Sequence, residues 1–304
     1  MLPAYGDGGL VREAIASVLN QRDPGWRLTV IDDGVTVSSG DGLEAWLAGL
    51  GDSRIRYLAN PRRLGINRNF QRCADEATAE WVVIMGGDDR LLPHFVAEVH
   101  DVAASVPDAA WIHTGATIIG ADGQPLRPLV DRVKRLTAPR VRGRRVMGGE
   151  DLAVSLLRGN WMYFPSIAFR RAELQRHGFR PGYDLVLDLD LYLRLLLHGG
   201  DAVLLEQPGI EYRRHQAGLS SARADDGSRF DEEAAFFAET FASMRAAGWP
   251  RAARAANVHW TSRLHALCKV PGLLAAGNHR TAGSMLHKAL TVTRPGPATR
   301  VGAR

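Results

Sequence analysis

An apolar run that ends in two adjacent acids is the feature that most constrains this chain. Residues 81–85 have the composition of a buried strand, and Gly86-Gly87-Asp88-Asp89 follows them directly. Two neighbouring carboxylates repel each other and lose hydration at a buried strand end, so a cation or a hydrogen-bond donor usually neutralises them. The pattern indicates a divalent-cation site. A solvated turn that caps a helix is the alternative, and the acid pair alone does not decide between the two.

Two further strand candidates end in polar side chains. Residues 27–31 form a β-branched run that leads into Asp32-Asp33-Gly34, and residues 55–58 end near Asn60. Three predicted strands therefore finish in groups that can bind a polar ligand or a cation.

Segments with helical periodicity precede and separate these strands. Residues 10–19 and residues 70–77 each place their apolar side chains on one helical face. Strand, helix and strand in alternation predict an α/β fold with right-handed crossovers and a mostly parallel sheet flanked by helices. Ligands bind where the carboxyl ends of such strands meet. We therefore expect one crevice to be lined by Asp33, Asn60, Asp88 and Asp89.

Length and composition fit a large α/β domain with an appendage. The chain has 304 residues, of which 45% are apolar and 23% are charged. Cys73 and Cys268 are its two cysteines, so the sequence predicts neither a disulfide framework nor a zinc site. It lacks a signal-peptide pattern and an apolar stretch of the roughly 18 to 20 residues that span a bilayer. These features predict a soluble, cytoplasmic protein.

Charge is distributed unevenly along the chain. Residues 240–304 hold ten Lys and Arg and no Asp or Glu, whereas the whole chain has a formal net charge of +5. Such a segment is attracted to anionic lipid, which favours peripheral contact with the inner face of a membrane. An arginine-rich helical appendage packed on the core is the alternative. Nucleic-acid binding is less well supported, because few aromatic side chains alternate with the basic residues of this segment. Between Arg245 and Arg304 they are Trp249 and Trp260.

A second basic segment interrupts the middle of the chain. Residues 127–145 carry eight Lys and Arg and a single acid, Asp131. We interpret this segment as a long loop, which either closes over a phosphorylated ligand or is disordered. The aromatic residues that follow, Trp161 and Tyr163, fit either a core cluster or a stacking surface for a sugar ring.

Two later residues are candidates for chemistry. Asp188 lies at the predicted start of a leucine-rich helix, where it is either an N-cap or a general base that accepts a proton from a substrate hydroxyl. His215 follows Tyr212-Arg213-Arg214 near the end of a predicted strand. Its imidazole is either a satisfied surface group or a further ligand for a cation at Asp89.

Taken in order, these motifs resemble the inverting family 2 glycosyltransferases, which have the nucleotide-sugar-binding GT-A fold. The similarity extends from Leu2 to about Ser221. It implies a GT-A domain over residues 1–222 and a basic helical C-terminal extension over residues 223–304. Its landmarks are Pro3-Ala4-Tyr5, residues 13–21, Asp32-Asp33-Gly34, Asn60, Gly65, Arg68-Asn69, Gly87-Asp88-Asp89, Pro165-Ser166, Phe169-Arg170-Arg171, Gly178-Phe179, residues 188–195 and Tyr212-Arg213-Arg214-His215.

The resemblance implies a reaction and a role for each landmark. A sugar would pass from a UDP- or dTDP-linked donor to an acceptor hydroxyl of a polysaccharide, glycolipid or secondary metabolite, with inversion at the anomeric carbon. Asp89 and His215 would hold Mn²⁺ or Mg²⁺ against the diphosphate, and Asp188 would deprotonate the acceptor. The donor would be bound by Pro3, Ala4, Tyr5, Asp33, Arg68 and Asp88.

Three departures from the family pattern affect the expected site. Only Met1-Leu2 precede the first motif, so the first strand is expected to be truncated, and we favour a misassigned start over a missing strand. Gly86 replaces a frequent Asp beside the cation, and Leu187 replaces the usual Glu before Asp188. Because Asp89 and Asp188 remain, we expect these replacements to change properties of the site such as its substrate preference, and not to abolish function.

Other classes of protein account for part of the pattern. A nucleotidyltransferase shares the strand-end acids but releases pyrophosphate, and a non-catalytic sugar-nucleotide binder would share the pocket alone. A glycoside hydrolase is disfavoured, because Asp188 and Asp190 face different sides of a helix. Kinase-like chemistry is disfavoured because the sequence lacks a GxxxxGK[ST] phosphate loop.

Overall fold

The computed structural model of the protein describes residues 1–5, 8–34, 42–214, 228–275 and 277–290. Two compact units make up the chain. One consists of Met1–Gly149 and Trp161–His215, and the other of Glu150–Asn160 and Gln216–Arg304. The boundary predicted near residue 222 falls outside the described residues, so it stays a prediction.

The first unit begins with three parallel strands in the order β1-β2-β3. Helices connect them, as the alternating apolar periodicities predict. The elements are β1 (Leu2–Ala4), α1 (Gly8–Leu19), β2 (Leu28–Asp32), α2 (Leu43–Gly49), β3 (Ile55–Ala59) and α3 (Ile66–Asp75). Ala4 pairs with Asp32, and Asp32 pairs with Ala59, so the carboxyl ends of all three strands lie side by side.

The buried face of α1 explains why this layer is stable. Val11, Ala14, Ile15 and Val18 recur at helical spacing and are all buried, in one core cluster with Leu2 of the first strand. Burial of each large aliphatic side chain contributes roughly 1.5–3 kcal/mol.

A second, mixed sheet follows, in the order β4-β8-β6-β9-β5, with β7 paired to β9. Its strands are β4 (Trp81–Val83), β5 (Arg90–Leu91), β6 (Trp111–Ile119), β7 (Arg144–Met147), β8 (Ile167–Arg170) and β9 (Ala202–Arg213). The helices of this region are α4 (Phe95–Ser105), α5 (Leu129–Thr137), α6 (Gly149–Arg158), α7 (Arg171–His177) and α8 (Leu187–Leu197). Met1 connects the sheets, because its amine donates to Val83 O (2.8 Å) and its carbonyl accepts from Met85 N (3.1 Å).

The α/β prediction is confirmed, and the pairing is more mixed than the alternation implied. The first sheet is parallel, but in the second sheet only β6 and β9 pair in parallel. The predicted strand-helix-strand pattern describes the first sheet. In the second sheet, pairing between strands that are distant in sequence determines the strand order.

The prediction of a loop over residues 127–145 is wrong. This segment forms α5 and the first two residues of β7. The reason is a tertiary contact, since the buried carboxylate of Asp131 accepts two hydrogen bonds from the Arg214 guanidinium (2.6 and 2.9 Å). Tyr163 also donates to Asp131 (2.6 Å).

The second unit is helical, as predicted for the C-terminal extension. Its helices are α9 (Ser228–Ala246), α10 (Pro250–Val258), α11 (Trp260–Ala275) and α12 (His279–Leu290). Helices α10 and α11 are separated by His259, which has a positive φ of 28°. Helix α6 groups with this unit because Arg251 forms ion pairs with Glu150 (3.0 Å) and Asp151 (2.6 Å). Among the described helices, none has both the length and the apolarity to cross a bilayer.

Candidate active site

The ends of the first strands and the turn after β4 form one edge of the fold. Asp33 N donates to Ala4 O (3.0 Å), which joins the residue after β2 to the end of β1. A Cβ placed on Gly87 would lie only 3.5 Å from Pro3 O, so the acid-bearing turn contacts the same strand end. These contacts place Pro3, Ala4 and Asp33 at the same edge of the fold as the turn that carries Asp88 and Asp89.

Asp33 organises the loop between β3 and α3. Its buried carboxylate accepts hydrogen bonds from Leu64 N (2.6 Å), Asn60 Nδ2 (2.7 Å) and Gly65 N (2.9 Å). A carboxylate has about four acceptor positions, so one remains for a ligand N–H. Asp33 therefore has a structural role in addition to its predicted contact with a base.

A buried network of amide side chains holds the loop between β3 and α3 in place. The Asn60 amide nitrogen also donates to Asn69 Oδ1 (2.9 Å), and Arg72 donates to Asn60 Oδ1. Asn60 and Asn69 are both buried. Buried polar groups of this kind are stable only when they are paired, so the network fixes the start of α3 relative to β2 and β3.

The predicted donor-binding residues differ in accessibility. Tyr5 is 57% exposed, and the Arg63 guanidinium lies over its ring, 4.1 Å from the centroid. Arg68 is exposed on α3, Pro3 is half-buried, and the Ala4 side chain is fully buried. Tyr5 and Arg68 can therefore reach a ligand, whereas Ala4 would contact one only through its backbone. Arg63 was not singled out by the sequence, because one arginine in a loop carries no pattern.

The two acids converge over Gly86. A Cβ on this glycine would lie 2.5 Å from Asp89 Oδ2 and 2.8 Å from Asp88 Oδ1, so a side chain there would collide with both carboxylates. Asp89 is 2% exposed. Its burial, and then the charge of Asp88, raise the pKa of Asp89 well above its ordinary range. The pair is therefore electrostatically unfavourable without a further positive charge.

Arg213 holds the acid-bearing turn in place. Its backbone N–H donates to Asp89 Oδ1 (2.8 Å), and its Nε donates to the carbonyl of Asp88 (2.8 Å). The side chain is 1% exposed and also pairs with Glu13 of α1 (2.7 Å). The sequence contained this residue within Tyr212-Arg213-Arg214-His215, but only the contacts reveal its role.

The donor set fits a divalent cation that is shared with a substrate. Among the described residues, no group of three or more His, Cys, Asp or Glu side chains is arranged to hold a metal. Mg²⁺ is often bound by one or two carboxylates together with substrate phosphates. The turn that carries Asp88 and Asp89 can supply such carboxylates. His215, the further predicted ligand, lies outside the described residues.

Asp188 is the second residue of helix α8, which confirms its predicted place at the helix start, but Val186 and not Asp188 occupies the N-cap position. Its half-buried carboxylate accepts a hydrogen bond from Leu189 N (2.7 Å). Asn67 of α3 connects this region to the crevice, because its amide donates to the carbonyls of Arg180 (2.8 Å) and Tyr183 (2.6 Å), just before α8. Asp190 of the same helix pairs with Arg194 (2.8 Å) and is buried.

Comparison with known proteins identifies the family. Residues 1–155, just over half of the chain, match the family described as glycosyl transferase family 2. An uncharacterized protein of Mycobacterium tuberculosis (strain CDC 1551 / Oshkosh) is 28% identical over 234 residues, covering 73% of this chain and 68% of that protein. The putative teichuronic acid biosynthesis glycosyltransferase TuaG of Bacillus subtilis (strain 168) is 22% identical over 221 residues, covering 72% and 79%.

Solved structures share the fold. The crystal structure of S. aureus TarS 1-349 in complex with UDP-GlcNAc matches with a TM-score of 0.59 at 12% identity, covering 79% of this chain and 65% of that one. The complex of the same protein with UDP matches with a TM-score of 0.57 at 10% identity, covering 94% and 88%. The fold is GT-A-like, and the chain belongs to glycosyl transferase family 2.

Proposed function

We propose that the protein is a metal-dependent, inverting glycosyltransferase that moves a sugar from a UDP- or dTDP-sugar to an acceptor hydroxyl. The observation that carries this proposal is the convergence of Asp88 and Asp89 over Gly86, on a turn fixed by Arg213. In the proposed assignment, residues 1–222 form the catalytic domain and residues 223–304 form a basic helical extension.

The donor assignment rests on the accessible groups of the crevice. The remaining acceptor position of Asp33 suits the ring N–H of uracil or thymine, and the exposed ring of Tyr5 offers a stacking surface. Arg68 is exposed on α3, where it can pair with a diphosphate. The TarS structures with UDP-GlcNAc and with UDP support a nucleotide-linked donor, because that protein shares the fold.

The proposed chemistry assigns a separate task to each acid. Asp188 would accept the proton of the acceptor hydroxyl as its oxygen attacks the anomeric carbon, while the bond to the diphosphate breaks on the opposite side. Removing a proton in this way typically contributes about 10²- to 10⁴-fold in rate. Asp89, with His215 as a further ligand, would hold Mn²⁺ or Mg²⁺, which would neutralise charge on the leaving diphosphate, and Asp88 would contact the ribose or the sugar of the donor.

Binding measurements test the donor and metal assignments. UDP should bind with Mn²⁺ more tightly than GDP in calorimetry, and Asp89→Asn should remove the dependence of UDP affinity on Mn²⁺. Glu80→Gln is a matched control, because this acid is 72% exposed and pairs with Arg170 at the surface. Equal UDP affinity with and without Mn²⁺ in the unmodified protein would refute the assigned site.

Product analysis distinguishes the competing functions. A glycosyltransferase releases UDP from a UDP-sugar, a nucleotidyltransferase releases pyrophosphate, and a non-catalytic binder releases neither. Asp188→Asn should retain donor affinity and lose transfer, and NMR of the product should show an inverted anomeric centre. Retained configuration, or near-normal turnover by Asp188→Asn, would contradict the mechanism.

Helix α11 supports the proposal of peripheral membrane contact. It exposes an apolar stripe at helical spacing, formed by Trp260, Leu264, Leu267 and Leu274. The segment that contains this helix, residues 240–304, carries no acid, so its charge complements an anionic lipid surface.

Vesicle sedimentation tests this contact. The protein should sediment with vesicles that contain phosphatidylglycerol and not with pure phosphatidylcholine. Leu264→Glu with Leu267→Glu should abolish sedimentation, whereas Leu126→Glu with Leu129→Glu, at exposed positions of the other unit, should not. Equal sedimentation of both double variants would refute the α11 assignment.

A further inference from the structure

A large cavity lies in the first unit, apart from the strand-end acids. It has a volume of about 590 Å³ and is lined by β6, α5, β9 and the segment that carries Trp161 and Tyr163. Cavities of about 300–1,000 Å³ are typical of small-molecule sites. Helix α5 belongs to the basic segment of residues 127–145.

The cavity contains a buried polar group without a partner. His113 of β6 lines it and is 6% exposed, and no hydrogen bond of the described residues reaches its Nε2. Its ring packs edge-on against Trp161, with centroids 5.3 Å apart. A buried nitrogen without a partner is unfavourable, so a hydroxyl group of a ligand would stabilise this site.

The rim of the cavity has an excess of positive charge. Arg127, Arg135 and Arg140 line it and are exposed, and none of them belongs to an ion pair between described residues. The lining acids are already engaged. Asp131 pairs with Arg214 (2.6 Å), and Glu206 accepts a hydrogen bond from Gly143 N (2.7 Å).

The cavity is close to the candidate active site. The ring of Tyr163, which lines it, lies 5.0 Å from the ring of Tyr212. Tyr212 is followed by Arg213, whose backbone holds Asp89. Tyr163 and Tyr212 therefore connect the cavity to the strand end that holds Asp89.

We propose that this cavity binds the acceptor, and that the acceptor is a polyol or glycan chain bearing phosphate or carboxylate groups. The anionic groups contact Arg127, Arg135 and Arg140, because guanidinium pairs with both anions in a bidentate geometry. A hydroxyl of the chain hydrogen-bonds with His113 Nε2. This inference rests on the proposed glycosyl transfer, since it names the acceptor class for that reaction.

The test compares two double variants with the same loss of charge. Arg135→Ala with Arg140→Ala removes two rim residues, while Arg132→Ala with Arg142→Ala removes two exposed arginines of the same segment that do not line the cavity. The ligands are a glycerol-phosphate oligomer, an oligogalacturonate, a neutral oligosaccharide of equal length and inorganic phosphate. Fluorescence anisotropy or calorimetry gives their affinities.

We expect at least one anionic oligomer to bind more tightly than the neutral oligosaccharide and inorganic phosphate. The rim variant should weaken that affinity about tenfold or more, as expected for losing charge-assisted hydrogen bonds, and the control variant by less than about twofold. Equal weakening by both variants would show nonspecific attraction and overturn the proposal. Preference for the neutral oligosaccharide, or no oligomer binding better than phosphate, would also overturn it.

UDP affinity, measured on the same proteins, distinguishes this inference from the proposed function. Both double variants should bind UDP with Mn²⁺ as the unmodified protein does. If UDP fails to bind the unmodified protein, the proposed function fails. If UDP binds normally and the rim variant retains full affinity for the anionic oligomer, only the acceptor assignment fails.

Discussion

Replacing Arg213 by Met should destabilise the protein and disturb the acid-bearing turn. The guanidinium donates to the carbonyls of Asp88 (2.8 Å), Ala121 (3.0 Å) and Gly120 (3.3 Å) from a side chain that is 1% exposed. Methionine has similar length and can fill the space, so the main effect is the loss of these hydrogen bonds and not a cavity.

The magnitude follows from those contacts. Hydrogen bonds from a charged donor contribute about 1.5–3 kcal/mol each, and the longest of the three contributes least. The ion pair with Glu13 adds little, roughly 0–1 kcal/mol, because the Glu13 side chain is 49% exposed and solvent screens it. We therefore expect Arg213→Met to lower the free energy of unfolding by about 3–5 kcal/mol.

Urea unfolding followed by circular dichroism measures this change. Glu13→Gln is the matched control, since it removes the ion pair and leaves the three carbonyl contacts, and it should cost less than about 1 kcal/mol. Arg213→Met should also weaken UDP binding in the presence of Mn²⁺, because the turn that carries both acids loses its support. A loss of stability below about 1 kcal/mol, or an equal loss in Glu13→Gln, would refute this reasoning.

Three further predictions concern other contacts of the first unit. Asp33→Asn should lower UDP affinity and destabilise the protein by about 1–3 kcal/mol, because the new amide N–H would face backbone N–H donors of the loop 60–65. An unchanged UDP affinity in calorimetry together with an unchanged free energy of unfolding would contradict this prediction. Burial lowers the pKa of His113 to about 3, so the folded state resists protonation that the unfolded state accepts below about pH 6.5. Stability should therefore fall by about 2 kcal/mol between pH 8 and pH 5, and His113→Phe should reduce the fall by that amount, so an equal fall in both proteins would contradict the prediction. Asn67→Ala should accelerate amide hydrogen exchange over residues 180–183, whose carbonyls it holds, and unchanged exchange would contradict that link.

The order of motifs along the chain was sufficient for the resemblance to the family, and local sequence pattern was sufficient for the fold class and for placing the acids at strand ends. Apolar runs that end in acids, separated by helical periodicity, predict strand ends that share one edge. The first sheet has this arrangement. These predictions succeeded because strand and helix periodicity are local properties of the chain.

Contacts between distant residues decided the parts that the sequence did not predict. Asp131 is one acid in a basic segment, and it specifies a helix only because Arg214 and Tyr163 reach it from 83 and 32 residues away. The positioning role of Arg213 likewise depends on Asp88, which precedes it by 125 residues.

Sequence alone therefore determined which chemical groups the protein has and at which ends of its strands they lie. Tertiary structure decided which of them are buried, paired or left for a ligand, as with the remaining acceptor position of Asp33 and the unpaired nitrogen of His113. The physical reason is that burial and hydrogen bonding of a polar group depend on neighbours that local periodicity does not specify.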